Sequence, residues 1–78
     1  MTIDERVKQI MADVFHVHVD TIDDDTTPHT LEHWDSVNHM YVVFAIEDEF
    51  NIELTEDQMI AMMDGVAPIV RIVSELSK

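Results

Sequence analysis

Apolar residues recur at steps of three and four along most of this 78-residue chain, and those steps mark out helices. Ile3, Val7, Ile10, Met11 and Val14 form the first stripe, with Asp4, Glu5, Lys8 and Asp13 off it. Thr2 and Glu5 have the spacing of a capping box, in which each side chain accepts from the other residue's backbone N–H. The spacing predicts a helix over 3–15. A second stripe holds Val37, Met40, Tyr41, Val43, Phe44, Ile46 and Phe50, and predicts a helix from Ser36 to Glu49. Asp35 and Ser36 are short polar residues of the kind that cap such a helix. Asn51 can adopt the left-handed conformation that closes it. Thr55 and Gln58 form a second capping box, opening a short helix with Met59, Ile60, Met62 and Met63, which Asp64-Gly65 breaks. A last helix starts near Val66, with Pro68 tolerated in its first turn. Val66, Ile69, Val70, Val73 and Leu76 supply its apolar face, and Lys78 lies near its negative end.

Between His16 and His33 the period is lost. Val17, Val19 and Ile22 offer a few anchors, and Leu31 is expected to plug the core. Asp20, Asp23, Asp24, Asp25, Thr26, Thr27 and Pro28 are turn formers. So long a loop in a small protein is functional or held by its own contacts. Phe50, Ile52 and Leu54 are expected to return to the core. No alternating strand pattern occurs. The reading is an all-α fold: one domain over 1–78, a small four-helix bundle of three main helices and one short helix, with a long first loop.

Charge narrows the partners. Seventeen acidic residues against four Lys and Arg leave −13 at pH 7. Nucleic acid and anionic membranes are repelled, because binding them requires Lys and Arg against phosphates. The expected partners are proteins with basic patches, although acidity also serves solubility alone. There is no cysteine, hence no disulfide, thiolate metal site or cysteine nucleophile. The start of the chain lacks the pattern of a signal peptide, and the longest apolar run, Val42 to Ile46, is far too short to span a bilayer. A soluble, cytoplasmic monomer is expected.

Ser36 is the residue with candidate chemistry. At the mouth of a helix N-terminus it meets the positive end of the dipole, where an attached phosphate is favoured. A capping role alone is the competing reading. Asp35, Ser36 and His39 do not make a hydrolase. The Gly-x-Ser-x-Gly elbow is missing, and His39 lies one turn further along the same helix. The five histidines are expected on the solvated surface, with His39 free to touch a phosphate or a partner. The aspartates at 20–25 fail the EF-hand pattern, so no metal site and no catalytic residue is assigned. Trp34 is expected to pack, and some of Val37, Met40 and Phe44 to face a partner, because the second helix has more apolar residues than one buried face needs. The six methionines read as adaptable core filler.

Over nearly its whole length the chain resembles an acyl carrier protein of the phosphopantetheine-binding family. The residues that carry the resemblance are Ile3-Asp4-Glu5-Arg6-Val7, the Asp35-Ser36-Val37 motif, Ala45-Ile46-Glu47-Asp48-Glu49-Phe50, and Ile69-Val70-Arg71-Ile72-Val73. The resemblance implies that Ser36 receives a 4′-phosphopantetheine arm from coenzyme A through a separate, magnesium-using transferase, with Asp35 helping to hold the metal. It implies a carrier that catalyses nothing, presents acyl or aminoacyl thioesters to partner enzymes, and often shelters an apolar chain between its helices. The chain departs from carriers of fatty acid synthesis at His33 and Trp34, at Val37, and at Asn38, His39, Met40 and Tyr41, where acidic residues are usual. Its acidic cluster lies instead at Glu47, Asp48 and Glu49. These departures imply a stand-alone carrier for a specialised pathway, such as one making a modified lipid, polyketide, peptide or surface sugar. The alternative from a different class is an unmodified acidic adaptor bound to a basic partner.

Overall fold

The computed structural model describes residues 2–77, so Lys78 lies outside the described residues. Its helices are α1 (Ile3–Phe15), α2 (Ser36–Phe50), α3 (Glu56–Ala61) and α4 (Val66–Leu76), with 3₁₀ turns at Val19–Thr21 and Met62–Asp64. No strand occurs among the described residues. The all-helical expectation holds. α2 extends one residue beyond the expected Glu49, to Phe50, and the 3₁₀ turn at Val19–Thr21 was not expected.

Each helix begins and ends on local chemistry. The Thr2/Glu5 and Thr55/Gln58 capping boxes both form. Asn51 closes α2 with φ 53° and its N–H on the Glu47 carbonyl. His16 closes α1 in the same left-handed way, at φ 58°. The core is built from Val7, Met11 and Phe15 of α1, Val42, Val43 and Ile46 of α2, and Val66, Ile69 and Val73 of α4. Ile22, Leu31, Trp34, Leu54 and Met62 reach it from the connections. Phe50 and Ile52 pack against it half-buried.

The long connection is fastened at several points. Thr26 is buried, and its hydroxyl accepts from the Asp23 N–H. The Asp23 carboxylate accepts from the Asp25 N–H. The Thr26 carbonyl accepts from Val66 N–H at 3.0 Å, which ties the loop to the start of α4. Gly65 makes that approach possible. Its φ is 147°, and an added Cβ would lie 3.1 Å from the Thr26 oxygen. Gly65→Ala is therefore expected to destabilise the fold by about 1–3 kcal/mol, read as the shift in a urea unfolding midpoint. An unchanged midpoint would mean that the junction relaxes freely.

Lys8 holds the other side of the loop, with Asp24 at 2.9 Å and Asp4 at 3.1 Å. Its hydrogen bond, and then its charge, hold the Asp24 carboxyl below the usual range, and Asp24 in turn raises the Lys8 ammonium. Because the folded value is the lowered one, this pair adds stability above the unfolded aspartate value of about 3.9, and the contribution disappears as pH falls through the folded value. The stability gap between wild type and Asp24→Asn should close as melts are taken from about pH 5 to about pH 2.5. A gap independent of pH would remove Asp24 as its source. At the opposite end, Arg6 joins α1 to α2, 2.7 Å from Glu49 and over the Phe50 ring.

Candidate functional site

Asp35 is the N-cap of α2. Its backbone is extended, and its carboxylate Oδ1 accepts the Asn38 N–H at 2.8 Å. Ser36 is thus the first helical residue, and it is exposed. Of the two capping candidates, the structure selects Asp35, so the Ser36 hydroxyl is not consumed by the cap. Asn38 also donates from its side chain to the His33 carbonyl at 2.9 Å, which fixes the chain just before the motif. The N-terminal N–H groups of α2 surround this position and suit an anion.

Beneath Ser36 lies a polar pair in the core. The Trp34 indole N–H donates to His39 Nδ1 at 3.0 Å, and His39 Nε2 is 2.9 Å from the Met59 carbonyl. An indole N–H can only donate, so Nδ1 must accept and Nε2 must carry the hydrogen given to Met59. The ring is neutral in this arrangement, stacked against Trp34 with centroids 6.1 Å apart. Phe15 of α1 packs on the indole from 5.8 Å. His39 therefore links α2, the connection before it and α3. This corrects the expectation of a solvated His39: it is buried, with both ring nitrogens engaged. His16, His18, His29 and His33 are exposed as expected. Trp34 packs as expected.

Ser36, His39 and Met40 of α2, with Glu56, Met59, Ile60 and Met63 from α3 and its 3₁₀ extension, line an apolar groove of about 320 Å³. The serine stands at its edge. Three of the methionines, Met40, Met59 and Met63, therefore line the groove, and Met59 and Met63 also pack against the core as expected.

The acidic cluster at the far end of α2 is partly engaged within the chain. Glu47 accepts the Leu54 N–H at 2.9 Å, and Glu49 holds Arg6. Only Asp48 of the three lacks such a described bond and stands exposed. The cluster is thus partly engaged within the chain, while Asp48 and Glu49 remain exposed. Asp23 is likewise committed to the loop's own contacts, and Asp24 to Lys8 of α1. No helix among the described residues is long and apolar enough to cross a membrane.

The residues present fit a phosphopantetheine group: an exposed hydroxyl at a helix N-terminus, a cap that does not use it, and an apolar groove alongside. Among curated proteins no match was found. A comparison with protein families matches residues 5–76 to the family described as phosphopantetheine attachment site. Proteins of that family carry a covalently attached 4′-phosphopantetheine, and its carrier domains are typically non-catalytic. With nearly all of its length matched, the chain belongs to the phosphopantetheine-binding carrier family, as an acyl-carrier-type protein.

Proposed function

We propose that this chain is a single carrier domain whose Ser36 bears the phosphopantetheine arm. The observation that carries the reading is the exposed Ser36 hydroxyl at the first position of α2, capped by its neighbour and bordered by the groove. A transferase would bring coenzyme A to it. The Ser36 oxygen attacks the phosphorus that bears pantetheine, the bond to the adenosine bisphosphate breaks, and the hydroxyl proton passes to a base of the transferase. Asp35 caps through Oδ1, which leaves its second oxygen for the transferase's magnesium. The N–H groups of the first turn of α2 favour the resulting phosphodiester. The arm, once attached, supplies a thiol that holds acyl groups as thioesters.

The rest belongs to the chain's own residues. Trp34 and His39 hold the motif against the core, and Met40, Met59, Ile60 and Met63 offer an apolar lining that supports shelter for an acyl chain. Both nitrogens of His39 are engaged elsewhere, so His39 offers Ser36 no base, and this favours a carrier over a hydrolase. The partners are a phosphopantetheinyl transferase and enzymes that load and process the acyl group. The His33, Trp34 and Val37 departures favour a specialised biosynthetic pathway.

Intact-mass measurement tests this directly. Incubation with coenzyme A and a broad-specificity transferase should add one phosphopantetheine, found by Glu- and Asp-directed proteolysis on the peptide that contains Ser36. No gain, or a gain on another peptide, would overturn the assignment. An unmodified adaptor gains nothing.

A further inference from the structure

Two helices open with a capping box, in which the side chain at the third helical position accepts from the N–H of the cap residue. Glu5 accepts from Thr2 at 3.2 Å, and Gln58 from Thr55 at 2.9 Å. The helix that carries Ser36 opens differently. Its third position holds Asn38, whose side-chain nitrogen reaches the His33 carbonyl at 2.9 Å. A carbonyl oxygen can only accept, so Asn38 donates where Glu5 and Gln58 accept. The Asp35 N–H, which a capping box would satisfy from the third position, goes to the same His33 carbonyl at 3.1 Å. One oxygen thus receives both the cap residue and the residue three places on.

The result is a closed bracket around Asp35. Its carboxylate holds the Asn38 backbone at 2.8 Å, and the Asn38 side chain holds the backbone two residues before Asp35. The Asp35 carbonyl accepts the N–H of His39 at 2.8 Å, a residue whose ring is fixed in the core. Asp35 is therefore restrained on both sides and through its side chain, although it is exposed. Capping alone needs only the backbone N–H of residue 38, which any residue but proline supplies. The Asn38 amide goes further: it fixes the path by which the chain enters the helix. It does so without charge. The first turn of α2 contains no acidic residue, whereas α1 has Asp4 and Glu5 there and α3 has Glu56 and Asp57. A carboxylate at that place would repel a phosphodiester on Ser36.

We propose that Asn38 is a positioning residue for the loading of Ser36: its amide, bonded to the His33 carbonyl, holds the Asp35 carboxylate so that the oxygen not used in capping keeps one direction for the transferase's magnesium. The inference rests on Ser36 being the modified residue and on the metal role proposed for Asp35. Asn38 touches neither coenzyme A nor the metal and acts through Asp35. Hydrogen-bonding partners behind a metal-binding carboxylate commonly change metal affinity by about tenfold or more when removed.

Asn38→Leu tests this, because it keeps the size and the backbone N–H and removes the donor. Leucine is the better helix former, so the melting temperature should move by less than about 4 °C. In the unloaded protein the backbone N–H of residue 38 should exchange about fivefold faster, since the Asp35 oxygen it meets is no longer held. With coenzyme A and a broad-specificity transferase, half-maximal loading rate should require about tenfold more magnesium, while the rate at saturating magnesium stays within about threefold. On an Asp35→Asn background, adding Asn38→Leu should change the rate by less than about twofold, because the carboxylate through which Asn38 acts is already gone. An unchanged magnesium requirement, an unchanged exchange rate, or the same fold-loss on both backgrounds overturns the positioning role and leaves the carrier reading intact. A wild type that is never loaded overturns both.

Discussion

Ser36→Ala is expected to abolish phosphopantetheine loading while leaving the melting temperature almost unchanged. The two effects separate because the residue proposed for esterification and the capping residue are neighbours, not the same residue. Ser36 occupies the first helical position, where alanine is at least as good a helix former, so the stability change should stay within about 0.5 kcal/mol. Asp35→Ala should behave oppositely in stability, losing the bond to Asn38 N–H and about 1 kcal/mol, up to about 2. Asp35→Asn completes the set. Asparagine caps as well as aspartate, so the fold should keep its stability. Loading should still slow by about tenfold or more, because the carboxylate for the magnesium is gone. Intact mass over time and thermal melts on the same samples read both quantities. Loading of Ser36→Ala would end the assignment, and a melting loss in Ser36→Ala equal to that in Asp35→Ala would mean that Ser36 does cap.

The second large effect is expected at the buried pair. His39→Ala removes the acceptor for the Trp34 indole and the donor to the Met59 carbonyl, leaving a buried N–H and a half-buried carbonyl without those partners. At about 1–3 kcal/mol for each unsatisfied group, the loss is about 2–6 kcal/mol, with the half-buried carbonyl at the low end. A chain of this size has only about 4–12 kcal/mol in total, so much of the stability depends on one imidazole. Trp34→Phe keeps most of the ring against Phe15 but deletes the N–H, and should cost less. In the double variant the costs should not add, because the indole no longer needs the nitrogen that is missing. A coupling of about 0.5–3 kcal/mol is expected from urea unfolding of the four proteins. Additivity within about 0.3 kcal/mol would show that the bond between them contributes nothing.

The helices were readable because their signals are local. Thr2 with Glu5 and Thr55 with Gln58 state their caps within four residues, and the stripe from Ile3 to Val14 points one way. Ser36 was readable as an exposed helix-start residue for the same reason. His39 was not. Its partners lie five residues before it and twenty after it, and a histidine near a serine looks polar until the fold brings an indole and a carbonyl to its two nitrogens. The faces of α2 were ambiguous for another reason. Val37, Met40, Tyr41, Val43, Phe44 and Ile46 go almost all the way round the helix, so periodicity could not say which side the bundle takes. The bond from Glu47 to Leu54 N–H depends on how the chain turns after Asn51, which composition alone does not encode.

The groove's second wall is a helix of only six residues, and none of them is fully buried. Such a segment cannot hold itself together in water, so its order is borrowed from the Thr55 cap, from the His39 bond to Met59 and from the packing of Met59 and Ala61 on the core. Its opening therefore exposes little of the core and draws on only a small part of the global unfolding free energy. α3 is therefore the helix expected to exchange its amide hydrogens first, ahead of α1, α2 and α4. A groove with one such wall would widen or narrow without the rest of the bundle repacking.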